Sequence, residues 1–131
     1  IGGRTATGDV VKGLGVDAVD VARFSRVLER TPALRNKVFT TDELDSVADR
    51  TDDAAGLAAR FAVREATMKA LGVGLGAFDL HDVSIQRQPS GQPHLKVVGR
   101  AAELASQRGI SAWHVSITHT ETVAVAVVAA S

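Results

Sequence analysis

RFAVREATMKALGVG, running from Arg60 to Gly74, reads as a helix that stops at glycine. Leu57, Phe61, Met68 and Leu71 recur at helical spacing and predict a buried stripe. Phe61, Glu65 and Lys69 are spaced to stack in one row along the helix. A carboxylate bordering an apolar stripe loses solvation, so it requires a cation, a hydrogen-bond donor or a metal. The plainest reading is a solvated Glu65–Lys69 pair, worth about 0.2–0.5 kcal/mol. The alternative is a ligand site, and the rest of the chain bears on the choice.

Outward from this helix, the pattern is strands mixed with helices. Val10 to Val16 is short, apolar and β-prone, and predicts a first strand. Asp17 follows it, and a helix is expected from about Val19 to Glu29, with Val21, Phe24, Val27 and Leu28 inward and Thr31-Pro32 as its break. Thr40-Thr41-Asp42-Glu43 is a helix start, with a threonine cap and Glu43 in the first turn. Asp49 to Asp53 is a polar break ahead of the helix expected over Ala54 to Leu71. Val83-Ser84-Ile85, the turn Pro89-Ser90-Gly91 and Leu95 to Val98 predict a hairpin. A short helix, Ala101 to Gln107, closes at Gly109. Trp113 to Thr118 and Val123 to Val128 alternate as strands on either side of a polar corner. The expected fold is α+β, an antiparallel sheet packed with helices. Residues 1–12 are expected to be a loose leader with the start of the first strand, and residues 13–131 the domain.

Composition narrows the function. A chain of 131 residues suits one domain, and 45% apolar with 23% charged residues is globular. Fifteen basic and fifteen acidic residues cancel, and aromatics are only 4%, so nucleic-acid binding is not expected. With no cysteine, thiolate metal sites and disulfides are excluded, which suits a cytoplasmic setting. No apolar run is long enough to span a membrane, and Ile1 to Asp9 lacks the order of a signal peptide. The chain begins without methionine, which leaves open a free-standing or an excised domain.

Several residues are candidates for chemistry. Asp17 either caps the next helix or ligates a hard cation such as magnesium, with Glu65 as its partner if the fold joins them. The glycines after the helix admit close approach of a phosphate, although Lys69 precedes them and Gly72 also suits a simple C-cap. His119 falls where a strand turns. His114 is expected on the strand face opposite Trp113, and His81 and His94 at the surface. Arg23, Arg26 and Arg30 line one side of the first helix, a solvated face or a dock for an acidic partner.

Taken in order, GVDAVD (15–20), VFTTDEL (38–44), RFAVREATMKALG (60–72) and HVSITHT (114–120) resemble the holo-(acyl-carrier-protein) synthases. These are small 4′-phosphopantetheinyl transferases, and the resemblance covers about Gly13 to the C-terminus. It implies transfer of 4′-phosphopantetheine from coenzyme A to a serine of an apo acyl carrier protein, releasing adenosine 3′,5′-bisphosphate, in fatty-acid or polyketide synthesis. It implies magnesium on Asp17 and Glu65, with Lys69 on the pyrophosphate. Arg60, Gly72, Gly91, Pro93, His119 and Thr120 would serve the nucleotide. Glu65 or a metal-bound water would be the base, with Asp20 the weaker candidate. Arg23 and Arg26 would meet the carrier protein, and a homotrimer is implied, with the small-residue last strand as a possible interface. Two departures stand out: Arg64 replaces the usual lysine of the family's K-E-A motif, and Asp20 an often longer acid. They keep open a degenerate module that binds coenzyme A without transfer.

Overall fold

The computed structural model describes residues 10–51 and 53–131; the expected leader, apart from Val10 to Lys12, lies outside them. Its elements run β1 (Gly13–Asp20), α1 (Val21–Arg30), α2 (Leu34–Val38), α3 (Thr41–Val47), α4 (Ala54–Leu71), a 3-10 turn (Leu80–Asp82), β2 (Val83–Arg87), β3 (Pro93–Val97), α5 (Gly99–Gln107), β4 (Trp113–His119) and β5 (Val123–Ala130). The α+β class is as expected, but the strands form two antiparallel ladders, β1-β5-β4 and β2-β3.

The central helix α4 has the expected bounds and ends on Gly72, whose φ of 71° is left-handed. The Gly72 amide donates to Lys69 O and the Val73 amide to Met68 O, which closes the last turn. At the start of α3, the Thr40 side chain accepts from the Glu43 amide while the Glu43 carboxylate accepts from the Thr40 amide, a reciprocal cap. The hairpin turns at Gly91, φ 86°, with the Gly91 amide on Gln88 O.

The helix does not bury one stripe only. Most of its residues are buried, Arg60 and Arg64 among them, because sheets and helices cover nearly its whole circumference. The row Phe61, Glu65 and Lys69 is the main stripe left open.

Two expectations for β1 are corrected. The strand is not Val10–Val16 but Gly13–Asp20, because β5 offers an eight-residue partner and pairing continues through Asp17, opposite Ala126. Asp17 is therefore mid-strand and caps nothing; Asp20 caps α1, accepting from the Arg23 amide at 2.9 Å. Alternation puts Gly13, Gly15 and Asp17 on the face toward α4. A Cβ on Gly13 would overlap the carbonyl oxygen of Ala70, and one on Gly15 that of Ala66. Glycine here lets strand and helix backbones meet directly.

On the other side of α4, Arg64 is fully buried against an equally buried Glu43 side chain. Its Nη2 donates to Glu43 Oε1 at 2.5 Å, its Nη1 to Oε2 at 3.0 Å, and its Nε to Leu80 O at 2.8 Å. Glu43 Oε2 also accepts from the Ile85 amide at 3.1 Å. Burial pushes the Glu43 carboxyl up, but Arg64 and the amides of Thr40 and Ile85 outweigh it and hold the group below its ordinary range. Removing one member of such a pair typically costs about 3–5 kcal/mol.

The remaining differences are local. Neither α2 nor the 3-10 turn is expected from periodicity, both being too short to show one. Helix α5 starts two residues earlier than expected. Asp53, just ahead of α4, is tied down: Arg35 donates to it twice, at 2.7 and 3.3 Å. In β5 the small residues Ala124, Ala126 and Ala130 are buried toward α4, so they are not the open face; Val123, Val125 and Val127 are.

Gly15→Ala is expected to lose at least about 3 kcal/mol of unfolding free energy in urea melts, since the wall it meets is helix backbone that cannot rotate away. Unchanged stability would refute the close seating of β1 on α4.

Candidate functional site

The site gathers where β1 passes the C-terminal half of α4. Asp17 comes from the strand, Glu65 and Lys69 from the open row of the helix, and the local cause is the glycine-lined approach two residues earlier in β1. Lys69 does not form the simple helix pair with Glu65. Its Nζ reaches across to β1, donating to Val16 O at 2.9 Å and to Asp17 Oδ1 at 3.2 Å.

Asp17, Asp20, Arg23, Phe24, Phe61 and Glu65 line one cavity of about 300 Å³. A larger, strongly apolar groove of about 590 Å³ shares Phe24, Val27, Phe61 and Glu65 with it. Leu28, Leu34, Val38, Leu75, Phe78 and Leu80 complete its walls, and Lys37 stands at its rim. Val27, expected inside, is instead a partly exposed wall of this groove. Neither the groove nor the part played by Leu75 was read from the sequence. Leu75, 77% exposed, is an apolar side chain between two glycines, and that was the available signal.

Electrostatics single out Glu65. Burial pushes its carboxyl up, the negative charge of Asp17 pushes it further, and Lys69 offsets part of the rise. Two carboxylates that repel across a cavity are relieved by a divalent cation or by a proton. Among the described residues no group of three or more His, Cys, Asp or Glu could hold a metal. The pair nonetheless suits a hard cation that takes few protein oxygens and completes its shell elsewhere, as magnesium does.

The residues that the resemblance assigns to the nucleotide lie apart from this pair. Arg60 is only 3% exposed; its Nη1 donates to Gly56 O and its Nη2 to Ser46 Oγ, both at 3.0 Å, while its buried Nε has no hydrogen-bond partner. Burial lowers the Arg60 pKa, and the positive charges of Arg87, Arg50 and Arg64 add to that against the pull of Glu43. Arg50 and Arg87, absent from the sequence reading, make this a basic cluster. Arg87 also ties the cluster to the hairpin, its Nη1 donating to Gly91 O at 2.9 Å. Pro93 stands opposite Arg87 in the ladder. His119 and Thr120 line another cavity with Ala55 and Glu121, where the Thr120 hydroxyl accepts from the amides of Thr122 and Val123. Gly72 has open space around it. Arg23 and Arg26 are exposed on α1, Arg23 at the edge of the carboxylate cavity.

The raised Glu65 pKa carries a stability signature. The folded protein holds this proton to a higher pH than the unfolded chain, so the stability that Glu65 contributes falls as pH rises through that window. With metals chelated, Glu65→Gln is expected to raise the melting temperature at pH 7 and to match the wild type below the ordinary carboxyl value of 4.5. A lower melting temperature at pH 7 would contradict the site electrostatics.

Comparison with known proteins agrees over nearly the whole chain. The family model described as the 4′-phosphopantetheinyl transferase superfamily matches residues 13–128. The holo-[acyl-carrier-protein] synthase of Beutenbergia cavernae is 40% identical over 121 residues, covering 92% of this chain and 98% of that protein. That of Kocuria rhizophila is 45% identical, with 92% and 93% covered. Among solved structures, the Neisseria meningitidis enzyme of the same name superposes with a TM-score of 0.84 at 27% identity, over 93% of this chain and 99% of that one. The Helicobacter pylori enzyme, in complex with coenzyme A, superposes at 0.78 and 28%, over 90% and 99%. With its fold, its ordered motifs and this match in agreement, the chain belongs to the 4′-phosphopantetheinyl transferase superfamily.

Proposed function

We propose that this chain transfers 4′-phosphopantetheine from coenzyme A to a serine of an apo acyl carrier protein. The observation that carries the reading is the meeting of Asp17 and Glu65 in one cavity beside an apolar groove. A family relative whose structure holds coenzyme A supports the donor.

Asp17 and Glu65 would hold magnesium, which when bound offsets charge on the diphosphate and on the leaving phosphate. Lys69 adds a positive charge on the same side. The carrier serine hydroxyl forms a bond to the β-phosphorus of coenzyme A, and the phosphoanhydride bond to the bridging oxygen breaks. Adenosine 3′,5′-bisphosphate leaves with that electron pair. Glu65, in the same cavity, takes the serine proton. Asp20 is less suited as the base because it is engaged as the α1 cap. Arg60, with Arg50 and Arg87 beside it, suits the 3′-phosphate, and Gly91, Pro93, His119 and Thr120 the nucleoside.

Arg23 and Arg26 steer an acidic carrier, where charge mainly sets on-rate and orientation. The adjoining apolar groove takes that partner's apolar side chains as its serine reaches Glu65. Arg64 no longer favours a degenerate module, because it lies in the core rather than in the cavity. Among the described residues no helix is long and apolar enough to cross a membrane, and a cytoplasmic setting fits a reaction between a nucleotide and a protein.

A homotrimer is part of the proposal. The sheet face turned away from α4 exposes Leu14 by 66%, Val16 by 55% and Val127 by 38%, a patch that neighbouring copies would cover. Light scattering on the eluting protein should give three times the chain mass. Val16→Asp should reduce that mass, and an unchanged assembly would exclude this face.

With coenzyme A, magnesium and an apo carrier protein, mass spectrometry should show the phosphopantetheine increment on the carrier serine. Asp17→Ala and Glu65→Ala should each lower turnover by at least about a thousandfold, and Arg23→Glu should mainly raise KM for the carrier. The transfer reading fails if no increment appears on several carriers; full activity of either alanine variant refutes the metal assignment.

A further inference from the structure

Lys69 raises a question that the proposed reaction leaves unanswered. Its Nζ is committed to β1, on Val16 O and Asp17 Oδ1, yet the reaction asks for its charge on the diphosphate. A cation taking Asp17 must share or displace the ammonium, and two positive charges on one carboxylate repel. The two partners differ in freedom. The Asp17 side chain is 18% exposed and set in the middle of a paired strand, whereas the Lys69 side chain is 55% exposed on a flexible stem. Lysine is the partner that can move.

We propose that Lys69 is an exchangeable counter-ion of the carboxylate pair, holding Asp17 until a divalent cation and a diphosphate arrive together, then leaving Asp17 to the cation and turning to the diphosphate. This rests on the reading of Asp17 and Glu65 as the cation site. A cation arriving alone displaces the ammonium and gives it no new anion. A cation arriving with the donor supplies one. Cation and donor binding are therefore linked through Lys69, each strengthening the other by the same factor. A lysine that only braced Asp17 would behave differently, since its loss would weaken cation binding under every condition.

The test uses the full chain and Mn2+ as the probe, with free ion read by its electron paramagnetic resonance signal at pH 8. Binding is measured alone, with coenzyme A and with adenosine 3′,5′-bisphosphate, which lacks the diphosphate; Mn2+ held by each nucleotide without protein is subtracted. In the wild type, coenzyme A should tighten Mn2+ binding by about fivefold or more, and adenosine 3′,5′-bisphosphate should not. Lys69→Met should bind Mn2+ alone about fivefold more tightly than the wild type and, since ion and diphosphate also attract directly, lose only part of the effect of coenzyme A. Lys69→Arg should retain that effect. If Asp17→Asn abolishes Mn2+ binding while Lys69→Met binds the lone ion no more tightly than the wild type, the exchange is overturned and the cation site stands. If the wild type binds no Mn2+ with or without coenzyme A, or Asp17→Asn binds it normally, the site reading falls and the exchange with it.

Discussion

The contact between the β1 and α4 backbones is the constraint from which the rest of this structure follows. At Gly13 and Gly15 the strand presents no side chain to the helix, and the helix meets it at Ala66 and Ala70. At ordinary packing distance, a side chain on β1 would stand off from the helix by its own length. Here Asp17, next on the same face of the strand, comes within reach of Lys69 and beside Glu65. The same contact stacks the three-stranded sheet on α4 and leaves the opposite sheet face for Leu14, Val16 and Val127.

The Arg64–Glu43 pair holds the other side of the helix. Charges without water cost a great deal unless every donor and acceptor is used, and these nearly are. Arg64 binds Glu43 of α3, Leu80 O ahead of β2 and Arg60 O of its own helix, while Glu43 binds the amides of Thr40 and Ile85. An α4 pinned to β1 on one side and to α3 and β2 on the other cannot roll. The row Phe61, Glu65 and Lys69 is thus held on the open side, so adjacent positions face different ways: Arg64 the core and Glu65 the cavity.

The two halves of the helix carry opposite charge problems. Toward the C-terminal end, Asp17 and Asp20 share a cavity with Glu65, whose proton affinity is raised. Toward the N-terminal end, Arg60 is buried near Arg50 and Arg87 with its Nε unpaired. The proposed magnesium ion, with a nucleotide diphosphate and phosphate, would answer both.

Much of this fold was legible in the sequence, because local chemistry set it over a few residues. The bounds of α4, its glycine cap, the reciprocal cap at Thr40 and Glu43 and the hairpin turn at Gly91 each rest on side chains and amides within one or two turns of one another. Helical periodicity also placed Phe61, Glu65 and Lys69 in one row. Beyond that reach the sequence was silent. Asp17 belongs to a strand only because β5, more than a hundred residues later in the chain, pairs through it. The burial of Arg60 and Arg64 depends on α3 and β2 closing over a helix that reads as half solvated. Lys69 has Glu65 one turn away yet bonds Asp17, a choice set by how near two glycines bring β1. Sequence alone determined which residues could do the chemistry; which of them meet was decided by long-range packing, whose distances no local pattern encodes.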